Sequence, residues 1–220
     1  MVGVSKLSTP YCGHDELLKY ISFSNGFFVE CGGNDGYSND PTYYLEKKLG
    51  WKGLIAEPLP IYKLCQKNRK ASVVYNCAVG SFSEKNKTIS FVDCNAMSFV
   101  EGSIPNAKEW IHAGERTQSI EARTITVPIR PVQSLIDEYQ QSHPIQKIDL
   151  LVGDVEGYEL AVIQGLDFKK NSPTWILLEI HEVDRKNTIE KYLLEKNYSY
   201  FATIGHHDHL FKIKYSNEKK

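Results

Sequence analysis

Two stretches of the chain gather residue types that can do chemistry. Residues 27–40, FFVECGGNDGYSND, run from an apolar segment through Glu30 into Gly32 and Gly33, an Asn34-Asp35 pair and Gly36. Glycines let a backbone pass close to a ligand with no Cβ between them. Further along, GDVEGYE and LEIH place Asp154, Glu156, Glu179 and His181 at the ends of two apolar runs. Glu179 and His181 are two residues apart, so on an extended chain they share a face. Such a group can take a proton from a hydroxyl, with Asp154 or His181 as the base and its partner orienting it. Alternatively Asp154, Glu179 and His181 can hold one hard divalent cation, such as Mg²⁺ or Mn²⁺. The residues leave both open. The plainer reading of Glu156 is a cap on a helix opening near Gly157, where the helix dipole favours an acid, with Glu159 continuing its solvated face.

Either chemistry needs elements that bring these residues together. Apolar runs at 26–31, 53–57 and 73–79 read as buried strands, separated by helical spacing at 41–49 and 61–69. Later come a run at 147–154, a helix from about 157, a run at 174–181, a helix over 185–196 and two terminal strands, 198–204 and 209–214. Strands alternating with helices predict an α/β fold with a parallel sheet. Residues 81–122 are polar and weakly periodic, and read as a long excursion from the core. Loops of that length usually have a function, so Asp93, Ser98, Glu101, Trp110, His112 and Arg116 are candidates for a lid or acceptor wall. GHHDHLF, at 205–211, tempts as a metal site, but neighbours on a strand point to opposite faces. A polar turn between the last two strands is the better reading.

In an open α/β sheet, ligands bind beyond the carboxyl ends of the strands. The glycine turn sits there, and Glu57 closes the second strand 21 residues after Gly36, where an acid accepts hydrogen bonds from ribose hydroxyls. Together they point to an adenosine-containing cofactor. A dinucleotide needs G-x-G-x-x-G; counted from Gly32 the later glycine positions hold Asn34 and Tyr37, and from Gly33 they hold Asp35 and Ser38. Glu30 and Asp35 would also repel a pyrophosphate. S-adenosylmethionine carries a sulfonium and an ammonium instead, which acids attract. With no ligand at all, the stretch would be a glycine-rich turn with a capping Asn or Asp.

The 220 residues suffice for one domain, 1–220, and the net charge of −1 with no basic tract argues against a nucleic-acid partner. Five cysteines, Cys12, Cys31, Cys65, Cys77 and Cys94, form no C-x-x-C pair, which suits reduced thiols better than a zinc cage. No signal-peptide pattern and no run of about 18 apolar residues is present. The chain reads as soluble and cytoplasmic.

GFFVECGGNDGYSNDPTYYLEKKLGWKGLIAEPLPIYKL, then NCAV, then IDLLVGDVEGYELAVIQGLDF with WILLEIH, resembles FkbM-type S-adenosylmethionine-dependent methyltransferases over about residues 12–181. YCGHDELL resembles the family's lead-in helix within 1–25, with His14 where Gln is expected. Gly153 stands where a Lys often precedes the Asp. The resemblance implies a Rossmann-like class I methyltransferase fold: a mostly parallel seven-stranded sheet with an antiparallel C-terminal strand. It also implies methyl transfer to a hydroxyl, commonly of a sugar or glycan. Carried over, Glu30 meets the methionine amino group, and Gly32, Asn34 and Gly36 line its chain. Glu57 takes the ribose, Asn76 or Cys77 with Ala78 borders the adenine, and Tyr37 stands near the sulfonium. The catalytic candidates are Asp154, His181 and Glu156. Rival functions are a dinucleotide-dependent oxidoreductase and a binding module that has kept the fold without turnover.

Overall fold

In the computed structural model, residues 11 and 13–214 are described; Cys12, the start of the expected lead-in helix and the NEKK tail lie outside them. The first half runs α1 (His14–Leu17), β1 (Phe27–Cys31), α2 (Tyr43–Leu49), β2 (Lys52–Ala56), α3 (Tyr62–Asn68), β3 (Ser72–Tyr75) and β4 (Ala78–Gly80). It continues through β5 (Lys87–Asp93), β6 (Phe99–Val100), α4 (Ala107–Gln118), β7 (Arg123–Pro131) and α5 (Val132–Gln140). The last third holds β8 (Leu150–Gly153), α6 (Glu159–Gln164), β9 (Trp175–Glu179), α7 (Val183–Glu195), β10 (Tyr198–Ile204) and β11 (Asp208–Ile213).

The main sheet has seven strands in the order β10-β11-β9-β8-β1-β2-β3. All neighbours pair in parallel except β11, which is antiparallel to both β9 and β10. This is the mostly parallel seven-stranded sheet with an antiparallel C-terminal strand that the resemblance implies. Central parallel strands are covered on both faces and so are apolar throughout, as in β1, where Phe28, Val29 and Cys31 are buried. Alternate residues serve the two faces. Val29, Leu54, Leu151 and Ile176 pack with α5, α6 and α7 through Leu135, Ile163 and Ile189. Phe28, Ile55, Leu150 and Leu177 pack on the other side with Leu17, Leu45 and Cys65.

Two expectations about the middle of the chain are corrected. The run 73–79 is two strands: β3 ends the main sheet at Tyr75, and β4 starts a second sheet at Ala78. Residues 81–122 are no excursion from the core. Their strands join β4 and β7 in a second sheet of order β4-β7-β5-β6, cored by Phe91, Val100, Val127 and Ile129. A separate apolar cluster of Val92, Cys94 and Phe99 receives Trp110 and Ile111 from α4. Cys31, Cys65, Cys77 and Cys94 are all buried and free. Among the described residues no helix is long and apolar enough to cross a membrane.

Candidate active site

Register places the site. Cys31 lies opposite Ala56 on one side and Gly153 on the other, and Gly153 lies opposite Leu178. The next residue of each strand or its continuation, Gly32, Glu57, Asp154 and Glu179, therefore emerges at one level of the sheet. There they line a crevice roofed from the second sheet by Phe91, Ser98 and Val100. Gly32 (φ +95°) is required by close approach: a Cβ on it would come within 1.8 Å of the Asp154 carbonyl oxygen. Among the described residues six carboxylates face the crevice, those of Glu30, Asp40, Glu57, Asp154, Glu156 and Glu179, and no Lys, Arg or His does.

Glu30 is held by a cation on its far side. The guanidinium of Arg69, fully buried, reaches Glu30 at 3.3 Å and Glu46 at 3.0 Å, and also bonds Asp40 and Thr42. Thr42 Oγ1 donates to Glu30 at 2.7 Å. Even so, burial and the neighbouring Asp40 charge push the Glu30 carboxyl up to about 8. One guanidinium offsets only part of three buried acids. Glu57 accepts the Asn34 N–H at 2.8 Å and the Leu59 N–H at 2.7 Å, one on each oxygen. Those bonds fix the glycine turn to the end of β2 and leave a second lone pair on each oxygen for a ligand hydroxyl. Burial raises Glu57 to about 7.

Beyond β8 the acids form a second group. Burial, then the Glu179 charge, raises the Asp154 carboxyl well above its ordinary value, and the two side chains share a hydrogen bond. Burial acts on Glu179 as well, but hydrogen bonds from His181 and Asp154 bring it below its ordinary value. The His181 ring lies 3.3 Å from Glu179 and 3.6 Å from Glu156. Glu156 and then Glu179 raise it to about 10, making it a cation at neutral pH. Trp110 meets its edge at 5.5 Å and His207 lies at 4.6 Å, so the GHHDHLF turn does reach this group.

Glu156 is conformationally costly. It has a left-handed backbone (φ +48°), which non-glycine residues rarely adopt. It is 8% exposed, and its Oε2 is met by the His181 ring at 3.6 Å, just beyond hydrogen-bond distance. It does not cap α6. The N-cap position belongs to Tyr158 and carries no side-chain cap hydrogen bond; Glu159 reaches back to accept the Gly157 N–H at 2.7 Å and is fully buried beside Arg185 instead of on a solvated face. Behind Glu156 lies a second cavity lined by Ile104, Trp110 and Ala113 on the α4 side and by His181, Glu182 and Arg185 on the other. Glu156 lines both spaces.

Of the residues expected to bind a cofactor, Glu30, Gly32, Asn34, Glu57, Cys77 and Ala78 face the crevice. The other three do not. Gly36 packs on Arg69 and Cys65, Tyr37 is 39% exposed and meets Tyr43 edge-on, and the Asn76 amide donates to the carbonyls of Glu57 and Pro58. The expected metal set also changes membership: ligand atoms of Glu156, Glu179 and His181 lie within 4.8 Å of one another, with Asp154 behind Glu179. Of the expected wall, Ser98 faces the crevice and Trp110 the second cavity, while Asp93 pairs with Arg123 and His112 faces Glu115 on exposed helix. Sequence reading missed Arg69, whose signal is the set of three acids needing a counter-ion. It also missed Leu59, Phe91 and Tyr158 along the crevice.

The site is thus an acid-lined crevice at the carboxyl edge of a mostly parallel seven-stranded sheet. Residues 30–200 match the Methyltransferase FkbM domain, and the chain belongs to that family. Membership implies S-adenosylmethionine-dependent methyl transfer on a Rossmann-like class I fold. Among solved structures the chain is similar to a human methyltransferase 10 domain containing protein, with a TM-score of 0.46 and 10% identity over 93% of this chain and 83% of that one. It is also similar to the precorrin-6y C5,15-methyltransferase of Geobacter metallireducens GS-15, with a TM-score of 0.45 and 8% identity over 90% and 84% of the two chains. No curated protein matches the sequence.

Proposed function

We propose that the chain transfers a methyl group from S-adenosylmethionine to a hydroxyl of a sugar or glycan, with Glu156 as the proton acceptor. The observation that carries this reading is the position of Glu156, a buried carboxylate paired with His181 at 3.6 Å that lines both the acid-lined crevice and the second cavity. When bound, the cofactor supplies a methyl carbon on a positively charged sulfur, open to in-line displacement by an oxygen. The crevice suits it. Glu30 faces the ammonium end, Glu57 the ribose hydroxyls, and the apolar wall of Leu59, Phe91 and Val100 the flat base. The same six carboxylates disfavour the diphosphate of a dinucleotide.

A hydroxyl entering from the second cavity meets Glu156 first. Burial raises that carboxyl above its ordinary value while the His181 cation acts against the rise, and a base tuned toward working pH is the more effective one. His181, already a cation, orients Glu156 and stabilises its charge; Asp154, hydrogen-bonded to Glu179, keeps that carboxylate in place for His181. Trp110 offers a flat apolar platform of the kind a sugar ring stacks on. Glu156→Gln should lower methyl transfer by roughly 10²–10⁴-fold and change S-adenosylhomocysteine affinity by less than about threefold, as followed with methyl-labelled cofactor and calorimetry. Unchanged turnover would remove Glu156 from the chemistry. A second reading rests on the 4.8 Å grouping of Glu156, Glu179 and His181, a donor set that suits Mg²⁺ or Mn²⁺. Loss of transfer on chelation, restored by Mn²⁺, would favour it.

A further inference from the structure

The second cavity carries a charge pattern that bears on the form in which an acceptor arrives. Its apolar side is Ile104, Trp110 and Ala113; its acids are Glu109, Glu156 and Glu182; its cations are His181 and Arg185. Both cations are committed. His181 lies between Glu156 and Glu179. Arg185 donates to the Ser103 carbonyl at 2.8 Å, faces Glu159 and Glu182 at 3.7 Å each, and is packed so closely on Gly157 that a Cβ there would lie 2.3 Å from its guanidinium. Neither can turn to an incoming anion without stranding a buried acid, the costly half of breaking such a pair. Glu156 itself lines this space, more than nine-tenths buried, with the His181 ring 3.6 Å from its Oε2, beyond hydrogen-bond distance, so its carboxylate can still accept an incoming O–H. Across the junction the crevice adds five more carboxylates and, among the described residues, no cation.

A phosphate joined to a sugar in this cavity would lie within a Debye length, about 8–10 Å, of Glu109, Glu156 and Glu182. Repulsion of that kind selects by excluding the wrong ligand. We infer that the cavity behind Glu156 takes its acceptor as an uncharged glycoside, not as a sugar phosphate, a nucleotide-activated sugar or a uronic acid. This rests on the methyl-transfer reading and deepens it. It places methyl transfer after the glycosyl transfer that releases the sugar from its activating diphosphate, so that a glycosyltransferase reaction must supply the substrate.

The test is equilibrium titration of the full chain, with S-adenosylhomocysteine bound, against methyl glycosides of the common hexoses and pentoses, each beside its own phosphate ester and nucleotide diphosphate. The neutral member of the pair that binds should bind at least tenfold more tightly than its anionic partners. In a Glu109→Gln, Glu182→Gln double variant that gap should narrow by threefold or more. Equal or tighter binding of the anionic members, or an unchanged gap in the double variant, overturns the inference while leaving sugar methylation standing. Binding of no glycoside of either kind, with S-adenosylhomocysteine still bound, overturns both.

Discussion

Replacement of Gly32 by alanine isolates the contact on which the crevice depends. An L-residue at the left-handed φ of +95° costs about 1–2 kcal/mol. The new Cβ would also stand 1.8 Å from the Asp154 carbonyl oxygen, where real contacts stay above 3.0 Å. Since the obstructing atom is backbone, the ends of β1 and β8 must part by about 1.2 Å to admit it, and overpacking of this kind typically costs a further ~1–3 kcal/mol. Gly102 provides the control: its φ is +88°, and a Cβ there meets nothing within 4 Å. Urea unfolding should therefore show Gly32→Ala losing about 2–5 kcal/mol and Gly102→Ala about 1 kcal/mol, the latter softened by reduced freedom of the unfolded chain. Calorimetry should find S-adenosylhomocysteine affinity down more than tenfold in the first variant only. If the two variants lose stability within about 0.5 kcal/mol of each other, the close approach of Gly32 to Asp154 has no energetic weight and the reasoning fails.

Two further perturbations probe the acids. Arg69→Met leaves Glu30, Asp40 and Glu46 without their shared cation and should cost about 3–5 kcal/mol or more. Its pH dependence has a definite sign. An acid held at about 8, as Glu30 is, keeps in the folded state a proton that the unfolded chain has released, so stability falls as pH climbs from the ordinary carboxylate range through 8. That fall should be steeper in Arg69→Met than in the parent when urea midpoints at pH 5 and pH 8 are compared, and parallel slopes would contradict the buried network. Glu57, raised to about 7, should make S-adenosylhomocysteine affinity increase as pH rises through 7, because ribose hydroxyls donate to the carboxylate and not to its protonated form. In Glu57→Gln that step should vanish and affinity at pH 8 should drop about tenfold, the loss of roughly 1.4 kcal/mol for a hydrogen bond to a charged group.

How much of this was legible in the chain depends on whether local pattern or distant packing decides. The ends of the main strands were legible, because a buried parallel strand must be apolar along its length, and an acid or glycine ending that run stands out. Once Cys31, Ala56 and Gly153 share a register, the residues that follow them meet whatever the intervening hundred residues do. The second sheet was not legible. Its β7 reads RTITVPIRP, and proline argues against a central strand. The strand survives because β4 pairs it only at Ile129–Pro131, so Pro128 lies where β7 has a single neighbour.

Arg69 was hidden for a different reason. In QKNRKAS it has the look of a solvated helix end, and only the folded structure shows Glu30, Asp40 and Glu46 converging on it from β1, the following loop and α2. A buried cation is specified by its partners, and those partners are far apart in sequence. Glu156 combines both cases. Its place after β8 was legible, but its left-handed backbone and its pairing with His181 were not. The backbone cost favours a role over a cap, because glycine at 156 would relieve it. A residue that keeps that cost is held there against stability, which is the pattern expected of a group whose charge is needed at the junction of two cavities.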